Sequence, residues 1–149
     1  MIREVSVLPA SALRAATEEV SDALFPFLVS CLDGDIFVAE SLLLDLIADF
    51  IHKNILDYQN PKHKILLFKS AWKSLPVNHA SPLAVAAAST GKFYQLPLLQ
   101  RAVLYLKVRE NFPFKIIAEI IGVINPEAEF TEASKRLLQK NILSWEVLC

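Results

Sequence analysis

The chain has 149 residues, 54% of them hydrophobic, so it can bury the core of one ordinary domain or of two small helical ones. Only three glycines occur, which disfavours an all-β sandwich and favours helices joined by few tight turns. The formal net charge of -1 argues against a protein that coats nucleic acid by bulk charge.

The first half of the sequence predicts three helices. Ser11 is expected to cap the first, and Pro26 should kink this helix or split it in two. A second helix, from about Ile36 to Asn54, is apolar around nearly its whole circumference, which is typical of a helix central to its domain. The third follows a loop at Asp57–Pro61 and is apolar on one face and basic on the other. The apolar faces contain Leu13, Ala16, Val20, Leu24 and Phe27 in the first helix, and Ile65, Phe68, Trp72 and Leu75 in the third.

Three more helices are predicted after a domain boundary at Pro76–Lys92, which combines prolines, a glycine and an alanine-rich patch. The first opens at Pro97, where a first-turn proline is tolerated, and ends at Pro113. A short apolar helix follows, and Asn125 and Pro126 are the expected N-cap and first turn of the last helix. The expected inward-facing positions of the last helix are Phe130, Ala133, Leu137 and Leu138, with Trp145 packing back on the domain.

The segment FKIIAEIIGV has the pattern of the first half of a helix-turn-helix. Two helices that cross closely need a small side chain at the crossing, and Ala118 supplies it. Gly122 supplies a left-handed turn conformation without steric cost. An ordinary helical hairpin would use the same residues, so both interpretations stay open at this point.

The second half of the chain resembles the promoter-binding C-terminal domain of the extracytoplasmic-function (group IV) sigma factors of bacterial RNA polymerase. The likeness covers about Gln95 to Leu138 and consists of Leu96-Pro97, Arg101 with an apolar helix, and the pattern Ile117–Val123 before a recognition helix. The first half is similar, in helix lengths and apolar pattern, to the sigma domain that binds the polymerase core and melts the promoter.

The resemblance implies an all-α protein of two small helical lobes joined by a linker. Residues 1–78 would form a polymerase-binding helical domain, residues 79–93 a linker, and residues 94–149 a helix-turn-helix domain.

The second helix departs from the family pattern at the place where sigma factors usually carry an acidic-glutamine-acidic cluster that binds polymerase. Glu40 and Asp45 remain, but Leu42, Leu43 and Leu44 occupy the middle. Consecutive leucines are expected to be buried, either in the core or against a partner. The resemblance makes these five residues the candidate contacts with a protein partner.

The third helix is a candidate contact for single-stranded DNA. Lys64, Lys69 and Lys73 would follow the backbone, and Trp72 would stack on a base. The alternative is a solvated lysine face with the tryptophan in the core.

The last helix is poorly suited to select a promoter. Glu127, Glu129 and Glu132 lie near its start, where carboxylates favour the helix dipole but would repel the phosphates of an approaching duplex. Further along lie Lys135, Arg136 and Lys140, which would contact phosphates without distinguishing sequences.

A soluble, cytoplasmic protein is expected. Cys31 lies in an apolar helical pattern and Cys149 is the last residue, so no pair predicts a disulfide or a zinc site. The first ten residues lack the apolar core of a signal peptide. The most apolar stretch contains Glu40, Asp45 and Asp49, so no membrane span is expected.

These patterns favour a non-enzymatic, sigma-like transcription regulator that acts mainly through contacts with the RNA polymerase core or an anti-sigma factor. One alternative is a functional extracytoplasmic-function sigma factor that binds promoter DNA, and another is a helical interaction module unrelated to transcription. His52, His63 and His79 lie in different segments without the spacing of metal ligands. The sequence also has no Ser/His/Asp catalytic order and no glycine loop that would bind phosphate. No enzyme, metal, cofactor or small-molecule substrate is therefore expected.

Overall fold

A computed structural model describes residues 9–76 and 93–148, with side chains described as far as Leu138. These residues form six α-helices and no strand, which confirms the predicted all-α class for this part of the chain. Residues 77–92, which hold most of the predicted linker, and the side chains of Lys140 and Trp145 lie outside the description. The helices are α1 (Ala10–Cys31), α2 (Ile36–Lys53), α3 (Pro61–Ser74), α4 (Leu98–Leu104), α5 (Phe114–Ile121) and α6 (Pro126–Leu148), with a 3-10 turn at Phe93–Gln95 before α4 and a π-helical turn at Tyr105–Arg109 after it.

α1 is one continuous helix. Pro9 is its N-cap residue and Ser11 lies exposed in the first turn, so the predicted serine cap is wrong. Pro26 lies inside the helix without splitting it. The missing backbone donor at Pro26 is tolerated because Leu24 and Phe27 on either side are fully buried and hold both parts of α1 in the core.

The next two helices begin at side-chain caps. The Asp35 carboxylate accepts a hydrogen bond from the backbone N–H of Val38 at 3.1 Å and starts α2. The Asn60 side chain accepts from the backbone N–H of Lys62 at 3.0 Å, and Pro61 occupies the first turn of α3. These caps place both helix starts within a residue of the predicted ones.

One hydrophobic core contains helices from both predicted lobes. Phe27 of α1 packs edge-on against Phe68 of α3 and against Tyr105 of the π turn, with ring centroids 5.4 Å apart in each pair. Phe68 also packs against Phe112, at 5.6 Å. Each such pair contributes about 0.5–1.5 kcal/mol beyond the apolar area that it buries. The division into two lobes therefore stays a prediction, and helices from both predicted lobes pack in the same core.

A buried arginine adds a polar contact between the same two parts of the chain. Arg101 of α4 is 5% exposed, and its Nη1 donates to the backbone carbonyl of Ser30 at 2.9 Å and pairs with the Asp33 carboxylate. Ser30 lies in the last turn of α1, where carbonyls lack helical donors and the helix dipole favours a cation. The guanidinium thus closes the end of α1 and fixes α4 beside it.

A second polar contact joins the loop before α3 to the end of the π turn. Glu110 accepts a hydrogen bond from the Tyr58 hydroxyl and pairs with the Lys64 ammonium at 3.3 Å. Lys64 also lies over the rings of Tyr58 and Phe112, at 4.6 and 5.3 Å from their centroids. Burial, and then the hydrogen bond to Glu110, raise the pKa of Tyr58 above its usual value.

The last helix packs through a smaller apolar cluster. Leu96, Leu104 and Ala133 are buried there, and Leu137 packs against them. The predicted inward position of Leu138 is wrong, because its side chain is 58% exposed. Within the described residues, no helix combines the length and apolar character needed to cross a membrane.

Replacement of the buried arginine tests the contact between α1 and α4. Arg101→Ala should lower the free energy of unfolding by about 2–4 kcal/mol, because it leaves the Asp33 carboxylate and the Ser30 carbonyl without their donor. Arg101→Lys should lower the free energy of unfolding by less, because lysine keeps the positive charge although it lacks the planar guanidinium. Urea denaturation measures both.

The matched control is Arg136→Ala, which removes an exposed pair with Glu132. An exposed helical pair of this kind contributes less than about 0.5 kcal/mol. If Arg101→Ala and Arg136→Ala lower the free energy of unfolding equally, the buried contact does not hold α4 in place.

Candidate functional site

α2 carries an exposed apolar stripe on the side that faces away from the core. Phe37, Leu44 and Ile51 are 71%, 63% and 45% exposed. They are spaced by seven residues, so they lie on one side of the helix, with the exposed small residues Ser41 and Ala48 between them. We call these five residues the α2 seam. Apolar side chains at this spacing are what one helix presents to another.

The seam exists because only one side of α2 is covered. The opposite side contains Ala39, Leu43, Leu46, Ile47 and Phe50, all of them buried. The prediction that α2 is central to its domain is therefore wrong for the described residues, even though its apolar positions nearly surround the axis.

The five predicted partner contacts are divided between these two sides. Leu43 is buried and Leu42 is half-buried, so both serve the core. Leu44 belongs to the seam, and Glu40 and Asp45 are exposed beside it. Neither carboxylate forms an ion pair with another described residue, so the surroundings of the seam are acidic.

α3 presents a basic side that keeps Lys69 and Lys73 of the predicted contacts but not Lys64 or Trp72. Lys64 is engaged with Glu110, and Trp72 packs partly buried against the core. Lys69 is half-buried and Lys73 is exposed. Lys62, which the sequence also places on the basic side of this helix, is exposed and lies on the same side, seven and eleven residues before them.

The predicted helix-turn-helix segment forms two helices, α5 and α6, joined by a tight turn at residues 122–125. Gly122 has φ of +79°, and its N–H donates to the Ala118 carbonyl at 2.8 Å. The Asn125 side chain accepts from the backbone N–H of Ala128 at 3.2 Å, which confirms it as a cap. Phe114 and Phe130 pack across the pair with ring centroids 5.6 Å apart. Ala118 is half-buried at the joint.

The start of α6 presents carboxylates to solvent. Glu127 and Glu132 are exposed, whereas Glu129 is half-buried and accepts a hydrogen bond from the Gln100 amide at 3.3 Å. Arg136, a candidate phosphate contact, pairs with Glu132 at 3.3 Å. Lys135 is exposed, and the side chain of Lys140 lies beyond the described ones.

The described residues give no geometry for metal or thiol chemistry. In residues 9–76 and 93–138, no group of three or more His, Cys, Asp or Glu side chains is placed to hold a metal. Cys31 is buried, and burial raises the pKa of its thiol, which keeps the sulfur in the unreactive protonated form.

Comparisons of the chain with protein-family models, with curated proteins and with solved structures find no match.

Gly122 offers a test of the turn between α5 and α6. A Cβ at this position would meet nothing within 4 Å, so the cost of Gly122→Ala comes from the left-handed backbone alone. We expect Gly122→Ala to lower the free energy of unfolding by about 1–2 kcal/mol. Gly122→Asn should lose less, because asparagine adopts this conformation more readily. If thermal or urea unfolding shows Gly122→Asn to be less stable than Gly122→Ala, the left-handed turn at this position is contradicted.

Proposed function

We propose that the chain is a non-enzymatic, sigma-factor-like transcription regulator that acts mainly through protein contacts, with the RNA polymerase core or an anti-sigma factor as its partner. The observation that carries the proposal is the α2 seam. In the sigma resemblance α2 corresponds to the polymerase-binding helix, and here it exposes Phe37, Leu44 and Ile51 in one line. Exposed apolar groups arranged in this way are typical of a protein interface.

The charges beside the seam indicate what the partner helix carries. Glu40 and Asp45 are acidic and exposed. A partner with its own apolar stripe and flanking lysines or arginines would complement them.

The C-terminal half supports protein contacts over promoter selection. Glu127 and Glu132 are exposed at the end of α6 that a recognition helix would direct at the duplex. Each would repel the phosphate backbone, and a carboxylate there could only accept a hydrogen bond from a base amino group, typically that of cytosine. The two helices and their turn are present, and the exposed carboxylates lie on the side that a recognition helix would turn towards DNA.

Capture of partners tests the proposal. The immobilised chain should recover RNA polymerase subunits or an anti-sigma factor from a bacterial extract, identified by mass spectrometry. Leu44→Lys should weaken that binding by about tenfold or more, because it places a charge in the middle of the apolar seam. Folding should be unchanged, since this side chain is 63% exposed.

Leu66→Lys is the matched control, because Leu66 is 43% exposed on α3, outside the seam. Binding by this variant should equal that of the unmodified chain. Recovery of neither polymerase nor any sigma or anti-sigma protein would overturn the proposal. A different protein partner that still depends on Leu44 would favour the helical interaction module unrelated to transcription.

A second candidate function, a working sigma factor that binds promoter DNA, is favoured by the outer side of α3. Lys62, Lys69 and Lys73 share this side, and α3 contains no acidic residue to neutralise them. Three ammonium groups along one helix suit the backbone of a melted strand.

Salt dependence tests this second candidate. If these lysines bind phosphates, the logarithm of the affinity for a single-stranded oligonucleotide should fall linearly with the logarithm of salt concentration. Lys69→Gln and Lys73→Gln should each reduce the slope by about 0.7. Fluorescence anisotropy measures the affinity, and Lys53→Gln is the control because Lys53 pairs with Asp49 on α2. Absence of binding at low salt would remove this candidate.

A further inference from the structure

A groove of about 340 Å³ lies between α1 and the helices that follow the linker. Pro26 and Ser30 of α1 form one wall. Leu104, Val108 and Leu137 contribute apolar surface on the other side. A volume of this size accommodates one or two large side chains of a partner rather than a whole helix.

The π turn gives the groove its chemical character. Val108 is 67% exposed, and the neighbouring Arg109 is exposed with its guanidinium 5.5 Å from the ring centroid of Tyr105. Arg109 forms no ion pair with any described carboxylate. The groove therefore combines an apolar floor with an unneutralised cation, and π turns often occur at functional sites.

The α2 seam has the complementary character. Phe37 is 71% exposed, and Glu40 follows it three residues later on the same side of α2. Aromatic side chains, Phe among them, are enriched at protein interfaces, and a carboxylate beside one complements an arginine at the groove. Symmetric pairing of two seams is disfavoured, because it would bring Glu40 and Asp45 of the two copies together.

We propose that the groove of one copy of this chain receives Phe37 of a second copy, with Glu40 of the second copy paired to Arg109 of the first. The contact joins two different surfaces, so copies associate head to tail and each end remains open to another copy. The inference does not depend on the proposed function, and a partner that binds the α2 seam competes with the association.

Sedimentation velocity tests the association on the full chain. The average mass should rise with protein concentration. Phe37→Asp removes the anchor and Val108→Asp places an acid in the groove, and each should raise the dissociation constant by about tenfold or more. Both side chains are largely exposed, so both variants should keep the circular dichroism of the unmodified chain.

Mixing the two variants provides the sharpest outcome. Phe37→Asp keeps an intact groove and Val108→Asp keeps an intact Phe37, so an equimolar mixture should form a dimer and go no further. Glu40→Arg and Arg109→Glu should each weaken association, and the chain carrying both should associate again because the pair is restored with reversed charges. Ile124→Ser, at a fully exposed apolar position outside both surfaces, is the control and should change nothing.

Three results would overturn the proposal: a mass that is independent of concentration, a mixture of the two variants that stays monomeric, or an equal loss with Ile124→Ser. These outcomes differ from failure of the proposed function. Arg109→Glu leaves the α2 seam untouched, so it should weaken self-association while capture of a transcription partner continues.

Discussion

The guanidinium of Arg101, buried between the end of α1 and the start of α4, is the contact on which the arrangement of the molecule depends. Its bond to the Ser30 carbonyl connects residues 71 apart in the sequence. A buried cation is tolerated only where acceptors compensate its lost hydration, and both acceptors belong to the other part of the chain. With α4 held there, Tyr105 packs on Phe27 and one core continues from α1 to α5. The same packing determines which surfaces remain free.

The described residues outside that core include three surfaces with different chemistry. The α2 seam is apolar with acidic neighbours, the outer side of α3 is basic, and the groove beside the π turn is apolar with Arg109 next to it. Lys64 and Trp72, which the sequence assigned to a single-stranded DNA site, instead contact other residues of the molecule. The shared core therefore underlies both proposals: it leaves one side of α2 exposed, and it forms the groove that we propose receives Phe37 of a second copy.

The sequence predicted the helices well because their signals are local. Asn125, Pro126 and Gly122 act through neighbours within four residues, and all three mark the ends of elements as expected. Burial along α2 could not be predicted, because a helix that is apolar all round does not reveal which side the rest of the chain covers. For this reason the sequence does not show that, of these two adjacent residues, Leu43 is buried and Leu44 is exposed. The roles of Lys64 and Arg101 depend on Glu110 and Asp33, and nothing in the local pattern encodes such distant pairs.

Amide hydrogen exchange at increasing denaturant tests the shared core most directly. If one core holds both parts of the chain, the buried amides of α1, α3, α4 and α5 should lose protection together, with the same opening free energy and the same dependence on denaturant. Arg101→Ala should lower the protection of all four helices at once. Protection that disappears from α4 and α5 at denaturant concentrations where α1 and α3 remain fully protected would contradict the account, because it would show two lobes that open independently.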